Sequence, residues 1–93
     1  MPVKSIIIHL YLPLSKSLKN KRSIVKSITQ RIHNKYNVSI AEINNNEKWK
    51  NATIGISIIA NEMLYIERKL SDVIHFIEDT YMDVEITKIE DYY

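Results

Sequence analysis

An α+β fold is what this sequence predicts, on three observations. Four stretches rich in β-branched residues alternate their side chains with period two. Two longer stretches carry apolar residues at helical spacing. The six occur in the order β-α-β-β-α-β.

Residues 3–13 (VKSIIIHLYLP) read as the first strand, with Ile6, Ile8, Leu10 and Leu12 on one face and Ile7, His9 and Tyr11 on the other. Apolar groups on both faces suit a central strand. Pro13 ends it, having no N–H for a ladder. A short loop, residues 13–17, then leads into an amphipathic helix within residues 15–36. Its Leu18, Val25, Ile28, Ile32 and Tyr36 fall inside an arc of about 80°. Ser15 or Ser17 can cap its start. Asn34 to Asn37, with Lys35 at the negative end of the dipole, can close it through the left-handed conformation that Asn tolerates.

Residues 38–44 (VSIAEIN) form a shorter strand with Val38 and Ile40 on one face, and the polar cluster Asn44-Asn45-Asn46-Glu47 reads as the turn of a hairpin. Residues 49–60 give the second long strand, Ala52, Ile54, Ile56 and Ile58 facing one way and Thr53, Gly55, Ser57 and Ile59 the other. Gly55 inside it signals a bulge or a close neighbour. Asn61 is placed to cap a second helix over 62–81, whose buried stripe is Met63, Ile66, Leu70, Val73, Ile74, Ile77 and Tyr81. Residues 82–90 alternate as a last strand with Val84 and Ile86 inward, and residues 91–93 are the tail.

This order is that of the ferredoxin-like split βαβ, a single domain over residues 1–93. Right-handed crossovers put both helices on one face of a four-stranded antiparallel sheet. Two-sided apolar character places strands one and three in the middle, giving the order 4-1-3-2. The opposite face is then open and displays His9, Tyr11, Thr53, Ser57 and Thr87, with Ile7 and Ile59 among them.

Composition excludes several classes. An apolar fraction of 45% with 26% charged residues is that of a globular chain. There is no Cys, hence no disulfide framework, thiolate nucleophile or Cys-based zinc site. The longest apolar runs are far short of the ~20 residues of a membrane span, and residues 1–4 lead straight into a strand pattern without a signal peptide, so a cytoplasmic soluble domain is expected. One Gly rules out a P-loop or a G-x-G-x-x-G turn. His9, His33 and His75 sit on different elements without metal-ligand spacing, and Glu42 is a lone carboxylate. No catalytic residue, cofactor or metal is expected.

Charge is the informative feature. Residues 1–41 carry eight Lys or Arg and no acid; residues 42–93 carry five basic and eleven acidic residues, so the halves are +8 and −6. Seven of the thirteen basic residues lie in residues 15–36. Lys19, Arg22, Lys26 and His33 fall opposite the apolar arc, whereas Lys21 lies within it and is expected to snorkel outward.

From the run Ser17-Leu18-Lys19-Asn20-Lys21-Arg22 onward, the chain resembles the YlxP-like family of small bacterial proteins, a domain of unknown function. Residues 34–42 (NKYNVSIAE), Trp49, Ala52-Thr53-Ile54-Gly55 and Asn61 extend the resemblance over nearly the whole chain; the Tyr92-Tyr93 tail departs from it. The resemblance implies a ferredoxin-like fold. It also implies a gene near those of a translation initiation factor and a ribosome-binding factor, hence a ribosome- or RNA-related role, and it supplies no catalytic residues.

Together these readings predict a non-catalytic module that binds RNA phosphates through Lys16, Lys19, Arg22 and Lys26, with Ser15 and Ser17 as a candidate anion site at the helix start. A homodimer or other protein contact through the open sheet face is the alternative. Trp49 reads as a cover for an edge of the core or as a binding residue.

Overall fold

The computed structural model describes residues 1–43 and 48–92. The predicted turn at Asn44–Glu47 and the last tail residue, Tyr93, lie outside the described residues. The element order is β1 (Val3–Tyr11), α1 (Leu18–Lys35), β2 (Ser39–Ile43), β3 (Asn51–Ile59), α2 (Met63–Thr80) and β4 (Glu85–Asp91). All pairings are antiparallel in the order β2-β3-β1-β4, the predicted ferredoxin-like arrangement.

The even positions of β1 and β3 face the helices as the alternation requires. Ile6, Ile8, Leu10, Leu12, Ala52, Ile54, Ile56 and Ile58 form one cluster with Val25, Ile28 and Ile32 of α1 and Ile66, Leu70, Val73 and Ile77 of α2. Tyr36, Ile74, Tyr81, Val84 and Ile86 pack around it half-buried. Gly55 marks a close neighbour rather than a bulge: β3 pairs without a slip on both sides, and a Cβ here would sit 3.4 Å from Ile43 Cγ2.

Five expectations are corrected. Met63 is 40% exposed at the first position of α2, outside the buried stripe. Glu62, not Asn61, occupies the cap position, without a side-chain hydrogen bond. β4 begins at Glu85 because the Val84 N–H donates to the Tyr81 carbonyl at 3.0 Å and closes a turn over Met82 and Asp83. α1 ends at Lys35, inside the expected Asn34–Asn37 stretch, but the cap residue Tyr36 is in extended backbone (φ −121°, ψ 147°) and not the left-handed conformation, its N–H donating to the Ile32 carbonyl.

The fifth concerns β4 itself. His9 pairs with Lys88 but Leu10 pairs with Ile86, so Thr87 is an extra residue in the ladder. Its hydroxyl donates to the His9 carbonyl at 3.3 Å. Strict alternation from Ile86 would turn Lys88 and Glu90 toward the helices. The bulge reverses the phase, as bulges do, and both end up beside His9 and Ile7 on the open face.

Ile8, 0% exposed at the centre of the sheet, sets the test of this core. Ile8→Ala should lower unfolding free energy by about 2–5 kcal/mol in a denaturant titration. The exposed Ile59→Ala should lie within about 0.5 kcal/mol of wild type.

Candidate nucleic-acid interface

The start of α1 is held by side chains rather than left open. Ser17 takes the cap position in extended backbone, and its Oγ accepts from the Asn20 N–H at 3.0 Å. Asn20 Oδ1 in turn accepts from the Lys16 N–H at 3.1 Å, a near relative of the capping box. Ser15 is buried, with its N–H on the Leu12 carbonyl and its hydroxyl donating to the Ser17 carbonyl at 3.2 Å. At the candidate anion site of Ser15 and Ser17 both hydroxyls are engaged within the chain, Ser15 with the Ser17 carbonyl and Ser17 with the Asn20 N–H, so the expected attraction for an anion falls to the backbone N–H groups of the first turn.

The seven cations of residues 15–36 divide into two groups. Lys21 is only 1% exposed, and its Nζ donates to the Lys48 carbonyl at 2.9 Å. It does not snorkel: the apolar arc that holds its stem also holds its head, and a carbonyl on the neighbouring turn receives it. Arg31 and Lys35 lean over the aromatic cluster between the helices. The Arg31 guanidinium carbon stands 5.7 Å from both the Phe76 and Tyr81 ring centres, and Lys35 Nζ 4.9 Å from that of Phe76, distances typical of cation–π contact.

The other four, Lys16, Lys19, Arg22 and Lys26, are exposed. Among the described residues no carboxylate lies within 4.0 Å of any of them. The ion pairs of the described acids are made elsewhere, by Asp91 with Lys4 and by Glu90 with His9 and Lys88. The two halves of the chain interleave in the sheet, β1 lying between β3 and β4, and the ion pairs that join them among the described residues, Lys4–Asp91 and His9–Glu90, are on β1 and β4 and not on α1.

Two further features were only partly visible in the sequence. Trp49 is 54% exposed in a turn joined to α1 through the Lys21–Lys48 hydrogen bond; the run Lys48-Trp49-Lys50 was the available signal. The open sheet face carries a shallow apolar trough of about 440 Å³, lined by Ile7, Ala41, Ile43, Gly55, Ser57 and Tyr92. His9 is not free on that face: its Nε2 lies 3.0 Å from Glu90 Oε2, while Lys88 Nζ lies 2.7 Å from Glu90 Oε1. On the central strands only Tyr11 is aromatic, which is too little for base stacking across the sheet. Among the described residues no group of His, Cys, Asp and Glu is placed to hold a metal ion, and no helix is long and apolar enough to cross a membrane.

Residues 3–91 match the model of a family described as "Protein of unknown function (DUF503)". The chain is also similar to the "Uncharacterized protein YlxP" of Bacillus subtilis (strain 168), 38% identical over 71 residues that cover 76% of each chain.

The Glu90 cluster sets a pH test. Hydrogen bonds from Lys88 and then His9 hold the Glu90 carboxyl below its usual range. A depressed carboxylate contributes stability above the unfolded-state pKa and loses it as pH falls through the folded-state value. Glu90→Gln should therefore melt below wild type at neutral pH, and the two melting curves should converge as the solution is acidified through the carboxylate range.

Proposed function

This chain belongs to the family described as "Protein of unknown function (DUF503)", and on its own geometry we propose that it is a non-catalytic RNA-binding module that grips phosphate backbone with α1. One observation carries the reading: Lys16, Lys19, Arg22 and Lys26 are exposed and, among the described residues, without a carboxylate partner. Lys19 and Lys26 are two turns apart on one helix face, about 10 Å along the axis. Such a strip can meet several phosphates at once. Phosphate contacts position a protein on nucleic acid but carry no base information, so the expected binding is strong in low salt and weakly sequence-selective. The family resemblance favours ribosomal RNA as the ligand, and the composition of the chain a cytoplasmic setting.

A second reading rests on the apolar trough. An open face lined by Ile7, Ile43 and Gly55, with Ile59 57% exposed on the same face, suits a second copy of the chain.

Two experiments test these readings. Lys19→Glu/Arg22→Glu should abolish most binding to structured RNA and lower the slope of log K against log salt by about 1.5, the contribution of two phosphates. Arg68→Glu on α2 should change neither. The reading fails if the double reversal binds as wild type, or if the protein does not sediment with ribosomal particles in low salt. For the second reading, light scattering should give twice the chain mass, reduced to one by Ile7→Asp; a wild-type monomer rejects it.

A further inference from the structure

Trp49 is the single tryptophan of the chain, exposed between two lysines. Its turn is firmly held. On one side the Lys48 carbonyl accepts from Lys21 Nζ at 2.9 Å, and on the other the Lys50 carbonyl accepts from the Leu12 N–H at 2.8 Å. The backbone on both sides of the indole is therefore anchored, once to α1 and once to the end of β1. A ring with two side-chain torsions on a fixed backbone loses little entropy when it is covered.

Position adds to this. Lys21, the residue that anchors the turn, lies in the first turns of α1 between Lys19 and Arg22. The turn is thus fastened near the start of α1, through a residue of its buried arc, and the cations beside the indole are its own neighbours Lys48 and Lys50, both exposed. A ring serving only as a lid on the core would be largely covered, and this one is not. Cations that hold a phosphate track next to an exposed indole form a stacking platform, on which an unpaired base lies against the ring. An uninterrupted duplex keeps its bases stacked on each other and offers the indole no open face.

We propose that Trp49 stacks an unpaired base, so that the RNA taken by the α1 surface contains single-stranded nucleotides (a strand, a loop or a bulge) rather than continuous duplex. The inference rests on the phosphate-binding reading above and adds to it the class of RNA.

Because Trp49 is the one tryptophan, its fluorescence reports the contact without a label. Titrating the wild-type chain in low salt with a short single-stranded RNA should quench that emission to saturation. The blunt duplex formed with the complementary strand should bind more weakly and quench little. Trp49→Ala should weaken the single strand about 5- to 100-fold, with the salt slope and the duplex affinity unchanged, and Trp49→Phe should recover part of the loss. Unquenched emission at saturation, or wild-type affinity in Trp49→Ala, overturns the stacking while Lys19→Glu/Arg22→Glu still weakens both RNAs and upholds the phosphate contacts. Should Trp49→Ala fail to fold, the wild-type fluorescence titration decides alone. If neither RNA binds, or the charge reversal costs nothing, the phosphate reading falls and this inference with it.

Discussion

The β1–β3 ladder runs without a slip from Val3 against Ile59 to Tyr11 against Asn51. A strand has side-chain period two, so this register places Ile6, Ile8 and Leu10 beside Ile56, Ile54 and Ala52 on one face and nowhere else. Moving it by one residue would turn the whole apolar set to solvent. The two helices have one surface on which their stripes can be buried, and both right-handed crossovers deliver them to it. The layout then follows: one face of the sheet is doubly covered, the other is bare, and the outer face of α1 looks away from both.

That layout separates two uses of positive charge within one helix. Lys21 is placed by the buried stripe, so its ammonium has to be received inside the protein; the Lys48 carbonyl is a receiver, and the turn that carries Trp49 is tied down as a result. Arg31 and Lys35 lie toward α2 and settle over Phe76, Tyr36 and Tyr81. Lys16, Lys19, Arg22 and Lys26 meet no such neighbours among the described residues. Charges held together on one acid-free helix repel one another in the free protein, and an anionic ligand relieves that repulsion.

How far the sequence disclosed this depended on the range of the interactions. Strand alternation and helical spacing are local, so β1, β3, the core stripe of α2 and the order of elements could be read directly, and so could the four exposed cations. What escaped depended on contacts across the fold. The bulge at Thr87 is a matter of how β4 meets β1, and without it the alternation misassigns Lys88 and Glu90. The burial of Lys21 needed a carbonyl 27 residues away. The cap of α2 went to Glu62 although Asn61 is the better capping residue, because tertiary packing of the stripe from Ile66 onward outweighs a cap worth about 1 kcal/mol. The RNA assignment was read from charge and is a proposal; what the structure shows is that Lys16, Lys19, Arg22 and Lys26 are exposed and, among the described residues, without a carboxylate partner.

The sheet face makes a poor rival for the nucleic acid, although related folds use theirs for RNA. Its trough is lined by Ile7, Ala41, Ile43 and Gly55, and the Glu90 carboxylate stands beside it within a closed set of hydrogen bonds to His9 and Lys88. A phosphate approaching there would meet an anion and an apolar floor, with Tyr11 as the one ring on the central strands. A second copy of the chain would meet a surface like itself. Two sheets paired face to face would leave both α1 helices on the outside, with their cations and Trp49 turns uncovered. The two proposed contacts therefore do not compete for surface, and a dimer would carry two phosphate-binding strips on opposite sides.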